Sequence, residues 1–315
     1  MANTAFATTD ALTQKIWSAI LLKEALREIY LSKFMGESTD NIIQVKNELT
    51  KQKGDKITIP LRMQMTSPGQ SSQTVITLET NEEALIYYNY AVELWLYGHA
   101  VRADDKLSLQ RPAFDLRTDM KDALKDWLAN KIEVLLATAL ATSPEATHYI
   151  NKTVSPTSTL TVALIQAAKR KAQLANPKVR PINIEGGEYY VMLVHPYGTK
   201  GLKADSDWKN AQLYANIRGK DNPIFNGALG IIDGVVLHEY DRSQLIVTAG
   251  KTRCLLLGAQ AGALVWGQQP QWHEKLFDYE RIPGVAVDLM AGVGKCVFNA
   301  LDFGVITLDV TYVAD

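Results

Sequence analysis

Between Arg111 and Thr142 the sequence carries one unbroken helical repeat, and a helix of that length restricts how everything around it can pack. Leu116, Met120, Leu124, Trp127, Leu128, Ile132, Leu135, Leu136, Ala139 and Leu140 recur at steps of three and four, which lines one face of an α-helix with apolar side chains. Arg117, Asp119, Lys121, Asp122, Lys125, Asp126, Asn130, Lys131 and Glu133 are expected on the opposite, solvated face. Pro112 suits a first turn, and Ser143-Pro144 stops the repeat. About 30 residues at ~1.5 Å each make a rod of roughly 45 Å, long enough to span a whole domain.

Upstream of the rod the periodicity changes twice. Residues 2 to 8 are small and polar apart from Phe6 and read as a flexible arm. A helix is expected from Thr9 or Asp10 to Gly36, with Leu12, Ile16, Ile20, Leu22, Leu26, Ile29 and Tyr30 on its buried side. From Ile42 the period becomes two: Ile57, Ile59, Leu61, Met63 and Met65 alternate with Thr58, Pro60, Arg62 and Gln64, the pattern of a half-buried strand. Pro60 lacks a ladder donor and places that strand at an edge. Ser67-Pro68-Gly69 marks a tip, and the chain returns through Thr74, Val75 and Leu78 into an aromatic-rich run from Leu85 to Arg102. An isolated two-stranded arm is marginal in water, and a bare apolar strand face invites aggregation. Its apolar face therefore needs a cover, which we expect from a neighbouring subunit, with the rest of the same chain as the alternative.

Downstream, residues 143 to 158 read as loop, and a basic helix runs from about Leu160 to Ala175, closing at Asn176-Pro177. Its Lys169-Arg170-Lys171 triplet is either a solvated helix end favoured by the dipole or a phosphate contact. A buried strand is expected at Tyr189 to His195, short helices at Thr199 to Ala204 and near Asp207 to Asn216, and turn and strand at Gly227 to Tyr240. Leu255 to Trp266 reads as a small-residue helix or a strand pair, and Gly284 to Val313 as two or three strands. The class is α+β.

The chemistry of an enzyme is missing from the pattern. The five histidines are scattered, and Cys254 and Cys296 stand far apart, so no metal or cofactor is expected and no disulfide framework. Gly292-Val293-Gly294-Lys295 lacks the earlier glycine of a phosphate loop, and Cys296 replaces its magnesium-binding hydroxyl. Only a site assembled from distant residues such as His195 and Asp233 would leave room for catalysis. Thirty-three basic against thirty-four acidic residues exclude a strongly nucleic-acid-binding or anionic-membrane-binding field. Neither a signal peptide nor a run of ~18 apolar residues occurs, so a soluble chain made in the cytoplasm is expected, with no membrane partner.

Several stretches, taken together and in order, resemble one family. They are Leu78-Glu79-Thr80-Asn81-Glu82-Glu83-Ala84-Leu85, Gly98-His99-Ala100-Val101-Arg102, Val194-His195-Pro196, the run from Asn222 to Val236, Gly258-Ala259-Gln260-Ala261 and Asp302-Phe303-Gly304-Val305-Ile306-Thr307. All are similar to the major capsid proteins of the coliphage N-four type. Gly98 and Thr80 depart from that pattern, and no role is carried to His99.

The resemblance implies the Hong Kong 97 fold. It places an N-terminal arm at 1–40, an extended β-hairpin loop with its base at 41–104, a peripheral domain with a spine helix at 105–156, a mixed α/β axial domain at 157–282, and return strands to the peripheral domain at 283–315. It also implies a virion protein assembled in the host cytoplasm into hexamers and pentamers around double-stranded DNA, bound without sequence specificity. A portal protein and possible scaffolding and decoration proteins would be its partners. The extended loop's contacts would then be Ile57, Ile59, Leu61, Met63, Met65, Pro68, Val75 and Leu78, and Lys169, Arg170 and Lys171 would face the DNA. No built-in N-terminal scaffolding domain is expected. An encapsulin-like compartment shell, enclosing cargo enzymes, is the alternative with the same fold.

Overall fold

The structure is a computed structural model that describes residues 29–47, 54–67, 69, 78–79, 82–105, 116–142, 144–153, 158–184, 186–213, 228–279 and 281–312. The flexible arm, most of the expected first helix, the hairpin tip around Pro68 and the Val75 return lie outside these residues.

Where the described chain begins it is not α-helical. Ile29 is extended, Tyr30–Phe34 forms a 3-10 turn, and Met35–Gly36 (β1) pairs in parallel with Ile43–Lys46 (β2). The expectation that a helix reaches Gly36 is therefore corrected, because Met35 and Gly36 spend their backbone groups on Ile43 and Gln44.

Lys56–Arg62 (β3) and Tyr87–Glu93 (β4) form a two-stranded antiparallel ladder, from Lys56 opposite Glu93 to Arg62 opposite Tyr87. The Met63 N–H continues it to the Ile86 carbonyl at 3.0 Å. The aromatic run does not continue as one return strand. Leu94 donates the last bond of the ladder to Asp55, and Trp95–Arg102 (β5) then joins a different sheet.

The long repeat is a 26-residue helix, Leu116–Ala141 (α1), about 39 Å from end to end. Met120, Leu124, Leu128, Ile132, Leu136 and Leu140 are buried along it as the spacing predicts, and Trp127, Leu135 and Ala139 are half-buried. Glu133 corrects the polar face: it is 1% exposed, because the 3-10 turn covers it and the Leu31 N–H reaches its Oε2 at 3.4 Å.

After Tyr149–Asn151 (β6) comes Val162–Leu174 (α2), then Ile182–Ile184 (β7), Gly187–Val194 (β8), Pro196–Ala204 (α3) and Ser206–Leu213 (α4). Ala228–Ile232 (β9) and Val235–Glu239 (β10) form a hairpin whose turn residues, Asp233 and Gly234, both have positive φ. That geometry matches the twist of paired strands and favours Asp-Gly. Ile246–Thr248 (β11) and Lys251–Leu257 (β12) lead to two long strands, Gly262–Phe277 (β13) and Ile282–Lys295 (β14). A small hairpin, Val297–Phe298 (β15) and Leu301–Asp302 (β16), precedes Val305–Thr311 (β17). The Leu255 to Trp266 stretch is thus the end of β12, a turn and the start of β13, not a helix.

Two larger sheets result. One runs β1-β2-β13-β14-β5 with α1 packed on it. The other runs β6-β17-β12-β8-β10-β9, with β11 on β12 and β7 on β8, and α2 covers its far face through Ile165, Ala168 and Ala172. The expected 282/283 boundary is not where the sheets divide. β13 already lies in the sheet beside α1, whereas β17 returns to the other sheet, paired with β12 from Lys251–Thr311 to Leu257–Val305. Seven consecutive ladder positions between two buried strands fix that return.

Two cations tie the sheets to the same helix end. Arg253 of β12 donates to the Ala141 carbonyl, and Lys295 of β14 to the Thr142 carbonyl at 2.9 Å. The negative end of the helix dipole and its unpaired carbonyls make this a favourable place for both.

Candidate assembly surface

The apolar face of the β3–β4 hairpin changes its surroundings along its length. At the base Ile57 and Val92 are buried against Ala263, Val265, Cys296 and Phe298 of the same chain. Ile59 and Leu61 pack at the margin of that cluster and are half-buried, as is Met63. The expectation of a neighbouring subunit as the cover is therefore corrected at the base, where the intrachain alternative holds. The cover comes from β13 and the β15 hairpin, more than 160 residues away in sequence. Farther out the side chains are bare: Met65 is 60% exposed and Leu78 69%, with Leu85, Ile86 and Tyr87 also exposed. Pro68 and Val75 lie outside the described residues.

The outer hairpin is nonetheless locally ordered by one carboxylate. Glu83 accepts the Thr66 N–H at 2.7 Å, the Ser67 N–H at 3.0 Å and the Thr66 hydroxyl at 3.0 Å. The two backbone donors hold its carboxyl below the usual carboxylate range. Acting as a cross-strand clasp, it ties Thr66 and Ser67 to Glu83 across the hairpin.

A second bare patch escaped the sequence reading. Trp95 and Leu96 at the start of β5 are 61% and 68% exposed, and Leu96 sits opposite the exposed Met290. Farther along the same sheet, Ala100, Arg102, Lys275, Phe277, Gly284 and Ala286 line a groove of about 270 Å³. Arg102 and Lys275 both lie about 5.1 Å from the Phe277 ring centre. The aromatic content of Leu85 to Arg102 was the available signal, but which residues turn outward depends on the sheet switch at Leu94.

The basic triplet divides. Lys169 Nζ reaches Asp233 Oδ1 at 2.9 Å, and Lys171 Nζ donates to the Tyr149 carbonyl at 2.8 Å. Arg170 is exposed and lines a cleft of about 600 Å³ with Thr147, His148 and Leu174.

The residues considered for catalysis are not brought together. Asp233 turns the β9–β10 hairpin beside the start of β8, whereas His195 follows the end of β8, where its ring accepts the Tyr197 N–H and caps α3. Gly292 and Gly294 lie within β14, and a Cβ at Gly292 would come within 2.3 Å of the Glu93 carbonyl. Close strand packing explains that glycine. Among the described residues no group of three or more His, Cys, Asp or Glu side chains is placed to hold a metal, and no helix is long and apolar enough to cross a membrane.

Comparison with known proteins gives this surface its context. A family model described as phage capsid protein matches residues 5–142 and 129–314. The chain is 26% identical to the major capsid protein of Pseudomonas phage KPP25, over 93% of each. It superposes on the capsid of Ralstonia phage GP4 with a TM-score of 0.80 and 28% identity, covering 100% of this chain and 99% of that one. For the Cyanophage Pam1 capsid the values are 0.78 and 22%, with 100% of both chains covered. An encapsulin of Synechococcus elongatus shares the fold at a TM-score of 0.53 and 10% identity, over 100% of this chain and 94% of that one. With sequence and fold in agreement across nearly its whole length, the chain belongs to the phage capsid protein family, a structural protein of the virion shell and not an enzyme.

Proposed function

We propose that this chain is the repeating subunit of an icosahedral head, assembled in the host cytoplasm as hexamers and pentamers around double-stranded DNA. The observation that carries this reading is the hairpin, anchored by Ile57 inside its own subunit and bare at Met65, Leu78, Leu85, Ile86 and Tyr87. A clasped apolar surface that the described residues leave bare fits a contact made by a neighbouring copy, in which Pro68 and Val75 would share. In this reading α1 is the spine helix of a peripheral domain with the β13–β14 sheet, and the β8–β10–β12–β17 sheet is the core of the axial domain. A portal protein, and scaffolding and decoration proteins where the phage encodes them, complete the assembly.

Near-neutral charge suits a DNA container, because a lining that bound phosphate tightly would resist packaging and release. Within the triplet Arg170 is the better candidate for a DNA contact, since Lys169 and Lys171 are engaged by their own subunit. Weak contacts suffice when many copies act together. An encapsulin-like compartment is the weaker reading, given the lower similarity to that shell.

The test is a variant carrying Met65→Ser, Leu85→Ser, Ile86→Ser and Tyr87→Ser, examined by electron microscopy and thermal unfolding. A normal thermal transition with loss of closed shells supports the proposal. Closed shells in normal yield would refute the tip as an assembly contact, and an unfolded variant would place these residues in the subunit's own core.

A further inference from the structure

A buried polar cluster lies where the 29–36 segment meets the body of the subunit. The 3-10 turn Tyr30–Phe34 sits on α1 and β10, with Ile29, Leu31 and Phe34 buried. Beneath it lies Glu133, which receives a single long hydrogen bond, from the Leu31 N–H. The Tyr240 hydroxyl interacts with the same carboxyl, yet neither that hydroxyl nor Glu133 Oε1 completes a hydrogen bond of sound geometry. On the other side Tyr30 Oη and Lys33 Nζ approach His238 Nδ1 at 3.1 Å and 3.4 Å, and an ammonium can only donate to that nitrogen. Lys33 also lies 3.6 Å above the Tyr30 ring, and Phe34 meets His238 edge-on. Glu239, Asp241 and Arg242 complete the charged surroundings.

We propose that Glu133 is a proton-dependent latch for the N-terminal segment: the 29–36 segment is held down while the carboxyl is neutral and is loosened when it ionises. A neutral carboxyl can sit under an apolar turn with one weak donor, whereas a carboxylate there needs donors or water that the closed turn denies it. Burial raises the Glu133 carboxyl above its ordinary value of 4.5, outweighing the pull of Tyr240, Leu31 and Arg242. The sign follows: a carboxyl that binds its proton more tightly in the docked state favours docking fully below 4.5. That preference is lost as pH rises towards the raised value. Lys33 lies over the Tyr30 ring, and burial pushes its ammonium down although the nearby Glu133 charge opposes that shift.

Hydrogen exchange on the full chain tests this, read by mass spectrometry on peptides covering 29–36 from about pH 4 to about pH 9 and corrected for the intrinsic pH dependence of exchange. Protection of these peptides should fall in the wild type by up to about tenfold per pH unit across the titration window, then level off. In Glu133→Gln it should stay flat and high, while peptides from β8 and β12 behave alike in both proteins. A wild-type profile as flat as that of the glutamine variant, or an equal decline in both, overturns the latch. Should Glu133→Gln fail to fold, Tyr240→Phe serves: removing a partner of the carboxylate must extend the window to higher pH, and an unchanged window overturns the proposal.

Discussion

Lys295 offers the sharpest test of how the long helix is held. Its ammonium is 7% exposed, lies 2.7 Å from Asp302 Oδ1, and donates to the Thr142 carbonyl at 2.9 Å. Asp302 is 2% exposed and also accepts the Glu145 N–H at 3.2 Å. Replacing Lys295 by Met keeps the stem but strands a buried carboxylate and an open carbonyl, and breaking such a pair costs about 3 to 5 kcal/mol. Converting the carboxylate as well, in Lys295→Met/Asp302→Asn, leaves an amide that still accepts from Glu145 and removes the uncompensated charge. The double variant should recover to within about 1 to 2 kcal/mol of the wild type, an interaction energy well outside additivity. Urea unfolding of the unassembled chains, followed by tryptophan fluorescence, measures all four corners of the cycle. A loss below about 1 kcal/mol in Lys295→Met, or a double variant as unstable as the sum of the singles, would refute the reasoning that this ion pair locks the helix end.

Three further outcomes follow from the same structure. Leu128 is fully buried in α1, so Leu128→Ala should lower stability by about 2 to 5 kcal/mol in the same urea assay, and Leu128→Asp should not accumulate as soluble protein. Both cysteines are buried, with the Cys296 thiol pushed up to about 12 and Cys254 higher still, so neither should react with a thiol-alkylating reagent until the chain unfolds. Burial pushes the Glu145 carboxyl up, but hydrogen bonds from Thr147 and His148 outweigh it and bring it to about 2. Its contribution is therefore complete above its ordinary 4.5 and disappears as pH falls towards 2; the unfolding midpoint of Glu145→Gln should lack the wild type's slope in that interval.

What the sequence revealed depended on whether the deciding contact was periodic or distant. The stripe from Met120 to Leu140 is a property of spacing alone, and the structure buries its central residues as spacing requires. Glu133 follows the polar pattern equally well, yet it is buried, because the cover comes from a 3-10 turn about 100 residues earlier. A charge pattern cannot register that cover. The same limit explains the aromatic run. It reads as one strand, but the chain changes sheets at Leu94, which packs over Gly267, and its new ladder partner is β14 far downstream. The closing strand was foreseen as a strand and its sheet was not, since Val305–Thr311 would suit either layer until Lys251–Leu257 is known to be its neighbour.

The hairpin joins the two kinds of information. Its alternating face from Ile57 to Met65 was legible residue by residue, but alternation says only that something covers the face. Coordinates separate the cover into an intrachain part at Ile57 and a part not supplied by the described residues at Met65. That gradient has a mechanical consequence. The inner hairpin shares a core with Ala263, Val265 and Phe298 and folds with the subunit, so Met65, Leu85, Ile86 and Tyr87 are carried on a base fixed by its own chain. A fixed base lowers the ordering cost that opposes association, and a modest apolar surface at Met65 and Leu85 can then contribute to a multi-copy shell without a large interface at each contact. Substitution at Ile57 should accordingly weaken the subunit and its assembly together, whereas substitution at Met65 should weaken assembly alone.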